Sequence, residues 1–320
     1  MPSFKEAFEK TGLDPNPTSP FMVVPLGGSN IVRLADAAGV KLEYDTDRLK
    51  VVQVTRKQEH LILDALRPQF TEWGLENKYT QDLTRSFANA ASLPENVSGD
   101  NQLYLVTGNV RGLTNLDAVR KPVKQHLDVA VVPALSHTLA FKFVQHLDEA
   151  SGNLLIPRWS PDNAEMLTAR LNWVYGPQAN IKFVLKGASV EKVEQRFHRE
   201  PHWKADLLDK LAPLKNTSVH LTVFVLPDPQ FESEGGKRAS GLHPNPPHPE
   251  DVVFVVHKPT RPSDDDPFFT SLAHEVGHFL ISQQGDHTGG HHSRDHVLLN
   301  DQGMQSTRLD SGLVRKMNPP

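Results

Sequence analysis

One stretch of nine residues constrains this chain more than any other. Residues 272–280 contain the pattern His-Glu-x-x-His, whose fixed positions are His274, Glu275 and His278. Residues four apart lie on one face of an α-helix, so His274 and His278 can offer two imidazole nitrogens to one cation. Glu275 can reach a water molecule on that cation without binding the cation itself. These residues at this spacing are typical of a hydrolytic zinc site.

The flanking residues predict the helix that this pattern needs. Residues 264–266 are aspartates and Pro267 follows them, which indicates a helix start with an N-cap, negative charge at the positive end of the helix dipole, and proline in the first turn. Apolar residues then recur at helical spacing, and Gly285 supplies a stop. The same pattern also fits a core helix whose two histidines bind nothing.

A catalytic zinc site needs three protein ligands and one open position, so a third ligand must come from elsewhere. No glutamate follows Glu275, which excludes a third ligand of that type from a later helix. A glycine-rich and histidine-rich segment follows instead, and a turn there can return the chain to the metal. His287 is the predicted third ligand, with His291 and then Asp286 as alternatives.

With these residues, the C-terminal part resembles the metzincin-like zinc metalloproteases, whose helix motif runs H-E-x-x-H-x-x-G-x-x-H. Ile281 and Gln284 stand where that motif has its glycine and its third histidine, and residues 285–287 resemble the same turn displaced along the chain. Residues 295–300 resemble the methionine turn beneath the metal, with Leu299 in the methionine position.

The resemblance implies a zinc-dependent endopeptidase, a hydrolase that cleaves protein or peptide substrates. Zn²⁺ held by His274, His278 and His287 would activate a water molecule, and Glu275 would take its proton as general base. The substrate would lie extended along a strand edge beside the helix.

The N-terminal half has a different pattern, of short apolar segments separated by turns rich in Gly, Pro and Asp. These segments indicate strands of a β-sandwich. The predicted strands are residues 21–26, 31–34, 40–44, 50–55, 60–63, 70–73, 102–106, 127–132 and 138–144. Residues 25–73 also resemble bacterial Ig-like domains, in their glycine-serine opening and the apolar strands after it.

The predicted fold class is therefore α+β with several domains. Residues 1–20 form a lead, residues 21–150 an Ig-like β-sandwich, and residues 151–320 a zincin (metzincin-like) catalytic domain with a mixed twisted sheet and an active-site helix. The strand at 138–144 fits either domain. In the catalytic half we expect helices at residues 164–175 and 201–214, and strands at 181–185, 220–226 and 252–257.

Composition limits the partners and the location. A net charge of −4 with 22% charged residues predicts no nucleic-acid partner, and no apolar run is long enough to span a membrane. The first residues lack a signal-peptide core, so the sequence does not determine the location. Export by another route, or a mature exported form, is preferred to a cytoplasmic protein. The absence of cysteine excludes disulfides. The sequence does not determine the oligomeric state.

Two alternatives to a peptidase stay open. The departures at Ile281, Gln284 and Leu299 fit a degenerate, non-cleaving zincin that acts as a binding or adhesion module through its Ig-like domain. A structural metal site closed by His291 or His292 is the second alternative. Among the other histidines, His243 lies in a proline-rich loop, where exposure or a place at a substrate rim is expected, and His137 is expected to be structural.

Overall fold

The computed structural model describes residues 1–7, 13–14, 20–75, 100–148, 151–197, 207–227, 241–244, 246–256, 267–285 and 309–320. Contacts group the chain into two compact units. Unit 1 comprises residues 1–135, 172–182 and 308–320, and unit 2 comprises residues 136–171 and 183–307. The domain boundaries predicted from the sequence, after residues 20 and 150, are not tested by this grouping and stay a prediction.

Unit 1 is built mainly from strands. Its elements are β1 (Ser3–Glu6), β2 (Leu13–Asp14), β3 (Phe21–Pro25), β4 (Ser29–Ala35), β5 (Lys41–Tyr44), β6 (Leu49–Val54), α1 (Glu59–Glu72), β7 (Asn101–Gly108), β8 (Gly112–Arg120) and β9 (Val123–Val132). One sheet has the strand order β1-β4-β7-β6, and the other has the order β2-β3-β9-β8-β5. All neighbouring strands of the two sheets are antiparallel except β3 and β9, which pair in parallel.

The two sheets of unit 1 share one apolar core. Val32 and Val106 of the first sheet and Val24 and Val129 of the second are buried together in it. Alternate side chains of a strand point to opposite faces, so Ile31, next to Val32, faces the other way. That second face is covered by α1, which packs Leu66 against it. Unit 1 therefore has three layers, namely two sheets and a helix.

The predicted Ig-like sandwich is wrong because this third layer replaces part of it. Residues 60–63 and 70–73, predicted as strands, lie in α1 or directly after it. Ile62, Leu66 and Phe70 are buried and recur every four residues, which is the spacing of one helix face. The parallel pairing of β3 with β9 is a second departure from a sandwich of antiparallel strands.

Unit 2 is organised around a mixed sheet. The elements that follow β9 are β10 (Leu135–Asp148), β11 (Leu154–Leu155), α2 (Ala164–Ala179), β12 (Ile181–Phe197), β13 (Leu221–Leu226), β14 (Gly241–Leu242), β15 (Val252–Val256), α3 (Pro267–Ser282) and α4 (Ser311–Met317). The strand order is β11-β10-β13-β15-β14, and β12 also pairs with β10. The strands β10, β13 and β15 are parallel neighbours, while β14 is antiparallel to β15.

The central strands of this sheet are apolar along their whole length. Every residue of β13 and β15 is buried, which is typical of parallel strands covered on both faces. Phe224 and Phe254 stack with ring centroids 5.2 Å apart on one face, beside the turn Leu207–Leu211. The helix α3 packs against β15 and β14. These contacts fix α3 beside the edge of the sheet.

The predicted fold class, an Ig-like sandwich followed by a zincin domain, is wrong for the described chain. Its residues form mostly strands in three sheets, and the sheet of unit 2 starts at β10, within residues assigned to the sandwich. Several single elements are nevertheless confirmed, among them α2, β13, β15 and α3. The strand β8 had no counterpart in the sequence analysis.

Among the helices that the structure describes, none is long and apolar enough to cross a membrane.

Candidate metal centre

The helix α3 carries the His-Glu-x-x-His pattern, as predicted. It runs from Pro267 to Ser282, and the main-chain N–H of Gly285 donates to the carbonyl of Ser282 just after its end. Gly285 has a φ of +83°, in the left-handed region that a glycine stop requires. The aspartates at 264–266, expected to cap the helix start, lie outside the described residues.

His274 and His278 are brought together by this helix. Their Nε2 atoms are 3.1 Å apart, and their ring centroids are 4.8 Å apart with the planes at 77°. Two nitrogens about 2.05 Å from one tetrahedral zinc ion would be roughly 3.3 Å from each other. This separation suits a shared Zn²⁺, and it is also the length of an N–H···N hydrogen bond between the two rings. His274 is buried and His278 is half-buried, so water is partly excluded around the pair.

Glu275 is enclosed by the edge strand β14. Its side chain is 7% exposed, and a Cβ built on Gly241 would lie 2.5 Å from its Cγ atom. Glycine is therefore required where β14 passes the carboxyl group. Burial raises the pKa of Glu275 to about 8, although a hydrogen bond from the main chain of His243 acts in the opposite direction.

The described residues alone do not make up the predicted hydrolytic zinc site. Among the described residues, no group of three or more His, Cys, Asp or Glu side chains is placed to hold a metal ion. A hydrolytic zinc site needs three protein ligands and a fourth position open to water. The side chain of Glu275, the predicted general base, packs against Gly241 of β14.

The third ligand stays a prediction. His287, together with the alternatives His291 and Asp286, lies outside the described residues. The same holds for His292, the proposed fourth ligand of a closed site, and for the segment 295–300 compared with a methionine turn.

His243, expected to be exposed or to lie at a substrate rim, is buried beside His278. It is 8% exposed rather than solvated, and its ring lies 6.4 Å from that of His278 with the planes at 19°. Its Nε2 is 2.9 Å from the carbonyl oxygen of Glu250. The one available signal was Gly241, because a glycine two residues before a histidine permits a close approach of the backbone to a neighbouring element.

His137, expected to be structural, lies in an aromatic pocket beside α3. Its ring centroid is 5.5 Å from Phe279, 6.0 Å from Phe183 and 5.7 Å from His220. Burial, with a smaller contribution from His220, lowers the pKa of His137 to about 4. The neutral ring is therefore the folded form over most of the pH range.

We expect His137 to make the stability of the protein depend on pH. Its pKa is about 4 in the folded state against 6.5 for an unperturbed ring, so the unfolded chain takes up the proton first as the pH falls. The stabilisation is complete above pH 6.5 and is lost as the pH falls towards 4, by up to about 3 kcal/mol. Urea unfolding of His137→Phe between these pH values should show a flatter profile than the wild type.

The exposed His248 supplies the matched control for this measurement. His248→Gln should keep the wild-type pH dependence. An unchanged slope in His137→Phe would show that the proton uptake on unfolding occurs elsewhere.

Comparisons with known proteins give partial structural likenesses only. No family model and no curated protein sequence matches the chain. Domains 1–6 of the surface layer protein SbsC match with a TM-score of 0.24 and 11% identity, over 49% of this chain and 17% of that chain. Domains 5–6 of SbsC match with a TM-score of 0.21 and 11% identity, over 49% of this chain and 62% of that chain. Domains 4 and 5 of SbsC match with a TM-score of 0.19 and 13% identity, over 41% of this chain and 53% of that chain. The chain spans less than two thirds of the length of each of these three matched structures.

These matches are surface-layer proteins and not zinc metallopeptidases. The described residues also contain no complete metal-binding group. The resemblance of the chain to a metzincin-like metalloprotease with an N-terminal bacterial Ig-like domain is therefore wrong, and so are the hydrolase and protease classes that it implied.

Proposed function

We propose that this chain is a module that binds zinc and an extended polypeptide, and that it does not cleave the polypeptide. The observation that carries the proposal is the 3.1 Å separation of the Nε2 atoms of His274 and His278, on a helix packed into the edge of a sheet. Two imidazoles at this spacing are preorganised for one divalent ion, and imidazole nitrogen is a preferred ligand of Zn²⁺.

The third ligand in this proposal is His287, which follows the glycine stop at Gly285 closely enough in sequence to return to the helix. Glu275 has a supporting role. Its buried carboxyl group accepts a hydrogen bond from the main chain of His243 and packs against Gly241 of β14. Zinc binding would thereby fix the edge of the sheet as well as the helix.

In this proposal the polypeptide partner binds along the sheet edge formed by β14. This strand ends the described strand order and runs antiparallel to β15. An extended segment can add to such an edge through main-chain hydrogen bonds, with side-chain pockets giving selectivity. A location outside the cytoplasm is part of this proposal, and recovery of the protein from the exported fraction of its source cells tests it.

The zinc site is tested on the full chain, stripped with a chelator and then titrated with Zn²⁺. We expect about one Zn²⁺ per chain, and a loss of affinity of about 1000-fold in His278→Ala, since one ligand supplies a large share of the binding free energy. The exposed His248→Ala is the matched control and should bind zinc normally. A wild-type protein that binds no zinc would contradict the proposal.

The partner is tested with fluorescently labelled, unfolded casein as the probe. Fluorescence anisotropy should show binding that requires zinc, and mass spectrometry should show the casein intact afterwards. Cleavage by the wild type that disappears in Glu275→Gln would overturn the proposal in favour of a peptidase.

A further inference from the structure

We propose that His126 makes the attachment of α4 to unit 1 sensitive to pH. The protonated ring of His126 and the guanidinium group of Arg315 share the carboxylate of Asp128, so protonation of His126 weakens the attraction of Arg315 for Asp128 and loosens α4. This inference concerns unit 1 alone and does not depend on the proposed zinc site.

His126 lies between two carboxyl groups on one face of a sheet. It stands on β9 directly opposite Asp117 of β8, and Asp128 follows two residues later on the same face. Its Nδ1 atom is 2.6 Å from Asp117, and its Nε2 atom is 2.8 Å from Asp128. A carboxylate only accepts hydrogen bonds, so both ring nitrogens carry a proton in this arrangement. The ring is therefore an imidazolium cation.

The electrostatics of the cluster favour this charged ring. Burial lowers the pKa of His126, but the hydrogen bonds to Asp117 and Asp128 outweigh burial and raise the pKa above its usual 6.5. For Asp117 burial raises the pKa, but hydrogen bonds from Lys124 and His126 outweigh burial and lower it. His126 therefore loses its proton on the alkaline side of the usual range for histidine.

Arg315 of α4 approaches Asp128 from the other side. Its guanidinium group is 3.5 Å from Oδ2 of Asp128, whereas His126 contacts Oδ1. The same group lies over the ring of Phe21, 5.3 Å from its centroid. Phe21 and Asp128 are neighbours in the pairing of β3 with β9. Arg315 thus ties α4 to two strands of the sheet, and one of these ties passes through the carboxylate that His126 shares.

The charge of the cluster decides the direction of the effect. The charges of Asp117, Lys124, Asp128 and protonated His126 cancel. Loss of the proton leaves one negative charge beside Arg315, so the attraction of Arg315 for Asp128 increases as the pH rises. Because coupling is reciprocal, Arg315 in turn makes His126 a weaker base.

The remaining charged residues of the neighbouring elements are carboxylates and a lysine. Histidine is the side-chain type in this set that changes charge around neutral pH. These residues are Glu43 of β5, opposite Asp117, Asp14 of β2, opposite Phe21, and Asp310 and Lys316 at the two ends of α4.

The consequence is a graded loosening of α4. The helix is also held by its buried residues Leu313, Val314 and Met317, and by the side-chain amide of Asn318, which donates to two carbonyl groups. The ion pair modulates this attachment and does not create it. In acid, α4 detaches more often and exposes its apolar face.

The first measurement is the pKa of His126 in the full chain, by NMR titration of the ring. Arg315→Gln should increase the affinity of His126 for a proton by about two- to fivefold, the size expected for a partly exposed ion pair. Arg315→Lys keeps the positive charge and is the matched control, with the pKa of the wild type. An unchanged pKa in Arg315→Gln would overturn the inference.

The second measurement is hydrogen exchange of the main-chain N–H groups of Val314 and Asn318, which bond within α4. After correction for intrinsic exchange, their protection should be about two- to fivefold lower at about pH 5.5 than at about pH 9. His126→Gln, neutral throughout, should remove this difference, and the exposed His60→Gln should keep it. An equal response to pH in the wild type and His126→Gln would show that His126 does not control α4.

Discussion

Replacing Trp73 with alanine should lower the free energy of unfolding of unit 1 by about 3–5 kcal/mol, the usual range for a buried aromatic residue. Trp73 is 2% exposed and ends α1. Its ring lies against Gly176 so closely that a Cβ there would be 2.7 Å from it, and Phe70 meets it edge-on at 4.9 Å. Its Nε1 donates to Asn180 at 3.1 Å. Truncation removes all these contacts and leaves a cavity.

Urea unfolding followed by circular dichroism measures this loss. Leu61→Ala on the exposed face of α1 is the matched control and should change stability by less than about 0.5 kcal/mol. Trp73→Phe should fall between the two, since it keeps a ring but leaves Asn180 without the indole donor. A loss below about 1 kcal/mol in Trp73→Ala would show that the helix layer contributes little to unit 1.

The features that the sequence predicted well are those encoded over long, regular segments. The helix α3 has apolar residues at helical spacing over four turns and a glycine stop, so both its existence and the meeting of His274 with His278 followed from spacing alone. The strands β13 and β15 were equally clear, because a short apolar run made of β-branched and aromatic residues favours a buried strand.

The features that were missed depend on contacts between distant parts of the chain. Residues 60–63 are too short a segment for their pattern to distinguish a strand from a helix. The helix is evident only when Ile62, Leu66 and Phe70 are seen to share one buried face of α1. His243 was expected to be exposed because its neighbours are mostly prolines. The burial of His243 follows from the pairing of β14 with β15, and no local sequence pattern predicts that pairing.

Replacing Gly241 with alanine should destabilise unit 2 by about 1–3 kcal/mol, the cost of overpacking a filled site. The added Cβ would lie 2.5 Å from Cγ, 2.6 Å from Oε1 and 2.9 Å from Cδ of Glu275. Glu275 is buried and cannot turn out to solvent without releasing the main chain of His243. Either β14 or the carboxyl group must therefore move.

A double-mutant cycle isolates this clash. Glu275→Ala removes the atoms that the new methyl group meets, so Gly241→Ala should cost less in that background, with a coupling free energy of about 1–2 kcal/mol in urea unfolding. Gly187→Ala is the matched control, because a Cβ on Gly187 in β12 meets nothing within 4 Å. It should be nearly neutral and should not couple to Glu275→Ala. Additive effects of Gly241→Ala and Glu275→Ala would show that β14 does not pack against Glu275.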